Sequence, residues 1–399
     1  SEFCKVPAFL SVFEENFSGE MTKFEQICTF SIKDALEKTD IDPADKGTLF
    51  ILSTTKGDIG TPLDITANKI AGGIGFINKP LVISNACISG VIAVTMAERL
   101  IKNGTYKNVV VTGADILTNF IVSGFQSLKA IGSSRCRPFD AKRDGINLGE
   151  CAGTLIMGSQ EGDIEVTNGA FNSDANHISG PSRTAEGLYL SMSRTLSGFD
   201  SPIDFISGHG TATSFNDETE SIGFDRAGLN EVPVNSLKGY FGHTLGAAGV
   251  VELAVSAFSM RKGVILKTIG YETHGVSRKI NVTENNITGK FTTCKQFKEM
   301  YLNLAISYPK FYKMDMLSKL AFLATEYLLK DISKKLSETK TAILFANRHS
   351  TINVDRKYME TIKDEKYFPN PAYFVYTLPN VMIGEVSIRH DLKGETLFI

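Results

Sequence analysis

LVISNACISGVIAVTMAERL, residues Leu81 to Leu100, decides the fold. It passes from an apolar run into a helical pattern through the small residues Ser84, Ala86, Ser89 and Gly90. The helix is predicted over Ile88 to Asn103, with Gly104 as its stop. Short apolar runs flank it at Thr48 to Leu52 and Lys107 to Thr112, each beside turn residues, as buried strands require. Upstream, Met21 to Thr39 places Phe24, Ile27, Cys28, Ile32 and Ala35 near helical spacing. Strand and helix therefore alternate through the first three-quarters of the chain, which predicts an α/β protein. Many of the 35 glycines fall where loops are expected, at Gly72, Gly73, Gly145, Gly149, Gly208, Gly210, Gly242, Gly246 and Gly249.

With 399 residues the chain has room for two domains, or for one large duplicated one. Apolar residues at 42% and charged residues at 22% suit a soluble globular protein. A net charge of -2 argues against a chain-wide nucleic-acid footprint. The best apolar run, Leu245 to Met260, is too short to span a membrane and contains Glu252. The six cysteines form no CxxC pair, so neither a zinc site nor a disulfide framework is expected, and a reducing cytoplasm is.

Cys87 sits between strand and helix, where the helix dipole and free backbone N–H groups favour thiolate. A buried structural cysteine is the competing reading. Two of the six histidines lie in glycine-flanked segments, GHGTAT around His209 and GYFGHTLGAAG around His243. Glycine beside a histidine permits a tight turn and clears space for a ligand. With Cys87 they form a set suited to thioester chemistry. Metal ligation is the rival reading, but neither histidine segment supplies a second ligand at the usual spacing, so no metal is expected. Asp217, Glu220 and Lys238 lie close to the histidines in sequence. A Glu–Lys pair there would set histidine orientation and protonation, against a default reading of solvated surface.

SNACISG, RPFDAKRDGINLGECAG (Arg137 to Gly153), DANHISGPS (Asp174 to Ser182), GHGTATSFNDETE and NSLKGYFGHTLGAAG together resemble the β-ketoacyl-acyl-carrier-protein synthases, decarboxylating condensing enzymes of the thiolase superfamily. The likeness covers roughly residues 20 to 290, with the motifs in the family's order. It implies a thiolase-like fold, two similar α/β halves in alternating helix and sheet layers. Cys87 matches the nucleophile that takes an acyl chain from a carrier-protein thioester. His209 and His243 match the pair that supports malonyl decarboxylation and stabilises the enolate. Lys238 matches the lysine supporting that pair, Glu220 its acidic partner, and Asp217 a position near the site. The implied activity is decarboxylative Claisen condensation in fatty acid or polyene biosynthesis, with acyl carrier protein as partner and no cofactor. A homodimer is expected, or a heterodimer with a cysteine-less ketosynthase-like subunit.

Beyond Asn286 the likeness changes. Phe24 to Thr39 followed by Thr48 to Thr54 resembles Leu317 to Ile332 followed by Thr341 to Asn347. Leu81 to Leu100 likewise resembles Tyr373 to Leu392, and setting Gly90 opposite Gly384 puts Val381 opposite Cys87. The predicted organisation is a nucleophile-bearing half (1–160), a histidine-bearing half (161–290), and a partial ketosynthase-like segment without nucleophile (297–399). The Gly-Phe-Gly-Gly segment that gates the family's acyl pocket does not occur in this sequence. Two rival functions stand beside condensation: a non-catalytic subunit that sets chain length, and a thioesterase or acyltransferase using the same cysteine.

Overall fold

A computed structural model describes residues 7–11, 21–178, 180–273, 275–276, 301–302, 304, 306–329, 336–337, 339–347, 349–363 and 367–399. The predicted change of character near Asn286 lies outside these residues. A short strand β1 (Ala8–Phe9) precedes helix α1 (Lys23–Leu36). Thr22 closes the start of α1 with a capping box: its hydroxyl accepts the Glu25 N–H, and the Glu25 carboxylate accepts the Thr22 N–H. Then come β2 (Thr48–Ser53), α2 (Leu63–Ile74), β3 (Leu81–Ile83), α3 (Ser89–Lys102), β4 (Asn108–Asp115), α4 (Asn119–Ser127), β5 (Leu148–Gly149) and β6 (Cys151–Gly158).

The main sheet has the order β3-β2-β4-β6, with β2 parallel to both β3 and β4 and β6 antiparallel to β4. Its central strands are apolar on both faces because helices cover both. Phe50, Leu52 and Val110 pack against Phe24, Ile27 and Ile32 of α1 and against Ala67 and Ile70 of α2. Leu49, Ile51, Val109 and Val111 face Ile92, Ala93 and Ala97 of α3. Val250 joins that second cluster from α8 (Ala248–Lys262). Between β6 and α8 lie α5 (Glu186–Thr195), β7 (Ile206–Ser207), α6 (Ser214–Arg226), β8 (Val234–Asn235) and α7 (Lys238–Phe241), with β7 and β8 paired in parallel. α8 touches both the main sheet and β7, so the α3–α8 layer lies between two sheets. The expected alternation of helix and sheet layers is present. The halves are unequal among the described residues, because the second sheet has two short strands where the first has four.

The approach of α3 to α8 is set by two glycines. A Cβ at Gly90 would sit 2.7 Å from the Val250 nitrogen, and one at Gly249 would sit 2.5 Å from the Val91 nitrogen. The helix N-termini therefore meet backbone to backbone, each preceded by a short 3₁₀ turn, Ala86–Ile88 and Leu245–Ala247.

The remainder comprises α9 (Met316–Leu329), β9 (Ile343–Phe345), α10 (Ile352–Met359), α11 (Pro371–Tyr376), α12 (Val381–His390) and β10 (Thr396–Phe398). β9 pairs with β10 in parallel, as β2 does with β4, which fits the internal repeat. One part of that repeat differs. Where the first copy has strand β3, the second has helix α11, started by Pro371 and capped by Asn370, which accepts the Ala372 and Tyr373 N–H groups. This unit packs on the first half. Tyr358 and Phe374 meet Phe120 of α4, and buried Lys56 pairs with Asp355 at 2.9 Å.

Candidate active site

Cys87 lies in the 3₁₀ turn that leads into α3. Ala86 before it has φ of 50°, a left-handed conformation that costs a non-glycine residue about 1–2 kcal/mol. Buried Asn85 and Ser89 hold the turn: Ser89 Oγ accepts the Asn85 N–H at 2.8 Å and donates to the Ala86 carbonyl at 2.5 Å. The turn brings the Cys87 Sγ to 2.8 Å from His243 Nε2.

His243 precedes the 3₁₀ turn into α8, and its backbone is fixed by the first half. Its N–H donates to the Asn147 carbonyl and its own carbonyl accepts the Gly149 N–H, at 2.8 and 3.0 Å. The INLG part of RPFDAKRDGINLGECAG thus acts as a docking strand for the histidine. The His209 ring stands edge-on to that of His243, with centroids 4.9 Å apart. The Cys87 sulfur and one ring nitrogen each of His209 and His243 fall within 4.8 Å of one another. Three side chains distant in sequence therefore converge, as expected. The same donors are of the kind that ligates soft divalent ions.

The acidic residues divide the structural work differently from the expected pairing. Glu220 accepts the N–H groups of His209 and Gly210 at 2.6 and 2.5 Å. Asp217 accepts those of Thr211, Ala212 and Phe139, at 2.7 to 3.1 Å. Both carboxylates, from the first two turns of α6, hold the GHGTAT loop by its backbone. Lys238 is fully buried, and its ion-pair partner is Glu252 of α8, at 2.6 Å, rather than Glu220. The reason is spatial: the Lys238 ammonium reaches Glu252 on α8, while Glu220 is committed to the loop N–H groups.

The expected thiolate is also corrected. Burial raises the Cys87 thiol to about 11, and the opposing charge of Lys238 does not offset it. Burial, helped by Lys238, drives His209 well below the usual imidazole range. Burial, Lys238 and His209 do the same to His243. The resting site thus holds a neutral thiol beside two neutral imidazoles, each with one N–H to donate.

Asp115 is a site-building residue that the sequence reading missed. Buried at the end of β4, it accepts the Thr54 hydroxyl (2.9 Å) and the N–H groups of Thr55 (2.8 Å) and Gly246 (2.7 Å). It ties the end of β2 to the loop that follows His243. Nothing local marks it: it closes an apolar strand, and its partners are far away in sequence.

Comparison with known proteins gives the same frame. Residues 44–162 match the profile "Beta-ketoacyl synthase, N-terminal domain", and residues 164–272 match "Beta-ketoacyl synthase, C-terminal domain". Among curated proteins, the putative mitochondrial 3-oxoacyl-[acyl-carrier-protein] synthase of Schizosaccharomyces pombe is 30% identical over 236 residues, 53% of this chain and 55% of that protein. 3-Oxoacyl-[acyl-carrier-protein] synthase 2 of Rhizobium meliloti is 31% identical over 219 residues, 49% and 52% respectively. The chain spans about half the length of the curated relatives it matches. A solved structure, the ishigamide ketosynthase/chain length factor, shares the fold with a TM-score of 0.58 at 22% identity, over 64% of this chain and 73% of that one.

Proposed function

Because this chain belongs to the β-ketoacyl synthase family, we propose that it joins an acyl thioester to malonyl-acyl-carrier-protein by decarboxylative Claisen condensation, in fatty acid or polyene biosynthesis. The observation that carries this reading is the 2.8 Å contact between Cys87 Sγ and His243 Nε2, with the His209 ring alongside. In the first step the thiol gives its proton to His243 Nε2 while sulfur attacks the acyl carbonyl. The carrier sulfur leaves as a thiol, taking that proton from His243 Nε2, and the acyl group stays on Cys87. In the second step the malonyl C–CO₂ bond breaks and its electron pair forms an enolate. Imidazole N–H groups of His209 and His243 stabilise the enolate oxygen, a role in which one lost donor typically costs about 10²–10³ in rate. The enolate carbon then attacks the Cys87 thioester, forming the C–C bond and expelling the Cys87 sulfur, which takes up a proton from water.

In this scheme burial, helped by the charge of Lys238, which pairs with Glu252, keeps both imidazoles neutral. Glu220 and Asp217 fix the His209 loop. Residues 1–160 and 161–290 serve as the nucleophile-bearing and histidine-bearing halves, and 297–399 as a partial ketosynthase-like segment, with Val381 opening α12 opposite the position of Cys87. Acyl carrier protein is the proposed partner, together with a second ketosynthase-like subunit, identical or cysteine-less. The free thiols of Cys28, Cys87, Cys136 and Cys151 favour a reducing cytoplasm. Among the described residues no helix is long and apolar enough to cross a membrane.

Incubation with acyl- and malonyl-carrier protein separates this reading from its rivals. A ketoacyl product supports it. Free acid alone would assign a thioesterase, and neither product would assign a subunit that only sets chain length.

A further inference from the structure

Residues beyond 272 lie outside both family profiles, yet the end of the chain grips the unit that carries Cys87. Asn85, two positions before the nucleophile, is 3% exposed. Its Oδ1 accepts the Phe398 N–H at 2.9 Å, and its Nδ2 donates to the Thr396 carbonyl at 3.3 Å. On the other edge of β10 the residues alternate: the carbonyl of Glu395 and the N–H of Ile399 bond to β9. Thr396 and Phe398 therefore present the edge that no strand covers among the described residues, and the Asn85 amide fills one rung of it. A second contact reinforces the first. Arg99, on the helix that follows Cys87, forms a two-pronged pair with Glu395 at 2.7 and 2.9 Å, immediately before β10.

These contacts bear on the strained Ala86. A left-handed non-glycine residue persists only where its surroundings over-determine it. Asn85 is held by Ser89 through its N–H and by β10 through its side chain, so the chain enters Ala86 from a fixed point. We propose that Asn85 is a positioning residue, through which strand Thr396–Phe398 of the same chain holds the turn that aims the Cys87 sulfur at His243. The proposal rests on the reading of Cys87 as the acylated nucleophile, and it gives the C-terminal segment a task within one polypeptide.

The test uses the full chain with Asn85→Ala, and with Glu395→Gln, which loosens the same strand from outside the loop. Three quantities are read: the single-turnover rate of Cys87 acylation by acyl-carrier protein, the pH profile of Cys87 alkylation by iodoacetamide, and the unfolding temperature. Asn85→Ala is expected to slow acylation about 10–100-fold, the scale of a misplacement of about 1 Å. Its alkylation profile is expected to move to lower pH, because a released turn lets water reach a thiol that burial holds up at about 11. Glu395→Gln should shift both in the same sense by less. A merely structural contact would lower the unfolding temperature while leaving acylation rate and alkylation profile at wild-type values in both variants, and that result overturns the proposal. If the wild-type chain is alkylated but never acylated on Cys87, while Asn85→Ala still moves the alkylation profile, the condensing reading fails and the positioning role stands.

Discussion

At the residue scale the site works by burial more than by charge. A helix N-terminus is visible in the sequence around Cys87 and favours thiolate; the packing that surrounds the sulfur is not visible there, and it prevails. Alkylation of Cys87 should therefore keep rising with pH toward about 11, with no plateau near neutrality. Stopped-flow or mass-resolved iodoacetamide kinetics would show this. Lys238→Met removes the cation that opposes burial, so the profile should move higher still. The same change strands Glu252, and truncating one partner of a buried pair costs about 3–5 kcal/mol in chemical denaturation. Replacing both partners by apolar residues should restore most of that loss. Glu220 gives a pH signature of its own. Burial and then Asp217 raise its carboxyl from the usual 4.5 to about 7, against the N–H bonds it accepts. Between those values the folded state holds a proton that the unfolded chain has released. This contribution is full below 4.5 and is lost as pH rises through about 7. Glu220→Gln should remove that fall, measured as the urea midpoint against pH.

At the scale of elements, the crossing of α3 and α8 aligns nucleophile and base. Gly90→Ala would push a methyl into the backbone of α8 and should cost about 1–3 kcal/mol, with a slower acylation of Cys87 as the helix start shifts. Ala86→Gly relieves the left-handed strain, yet it frees the turn, so thermal stability should change little while acylation slows. The elements themselves were legible. Short apolar runs beside turn residues marked β2 and β4, and the helical spacing of Phe24, Ile27, Cys28 and Ile32 marked α1. Glycine flanks singled out His209 and His243. The supports were not legible, because Asp115, Asn147, Glu252 and Asn85 look like ordinary polar residues until distant segments fold onto them. For the same reason the sequence paired Lys238 with Glu220, its neighbour in the motifs, when the fold supplies Glu252. The likeness of Leu81–Leu100 to Tyr373–Leu392 does not extend to its first residues, where Pro371 with Asn370 starts helix α11 in place of a strand.

At the scale of the whole molecule, a layered α/β body brings together three groups from two halves, and a C-terminal unit packs against the half that bears the nucleophile. Its buried links run through Lys56 to Asp355, Phe120 to Tyr358 and Asn85 to β10. Unfolding should therefore be cooperative across this interface, and Asp355→Ala, which strands the buried Lys56 ammonium, should lower the midpoint of both parts together. Separate probes on Tyr358 and on the main sheet would check this. Which atom receives the acyl group decides the mechanism. Intact-protein and peptide mass spectrometry after incubation with acyl-carrier protein should find one acyl adduct, on Cys87, greatly slowed in His243→Ala and absent in Cys87→Ala. An adduct on another residue, or an unmodified Cys87 in a folded chain given ample substrate, would contradict it.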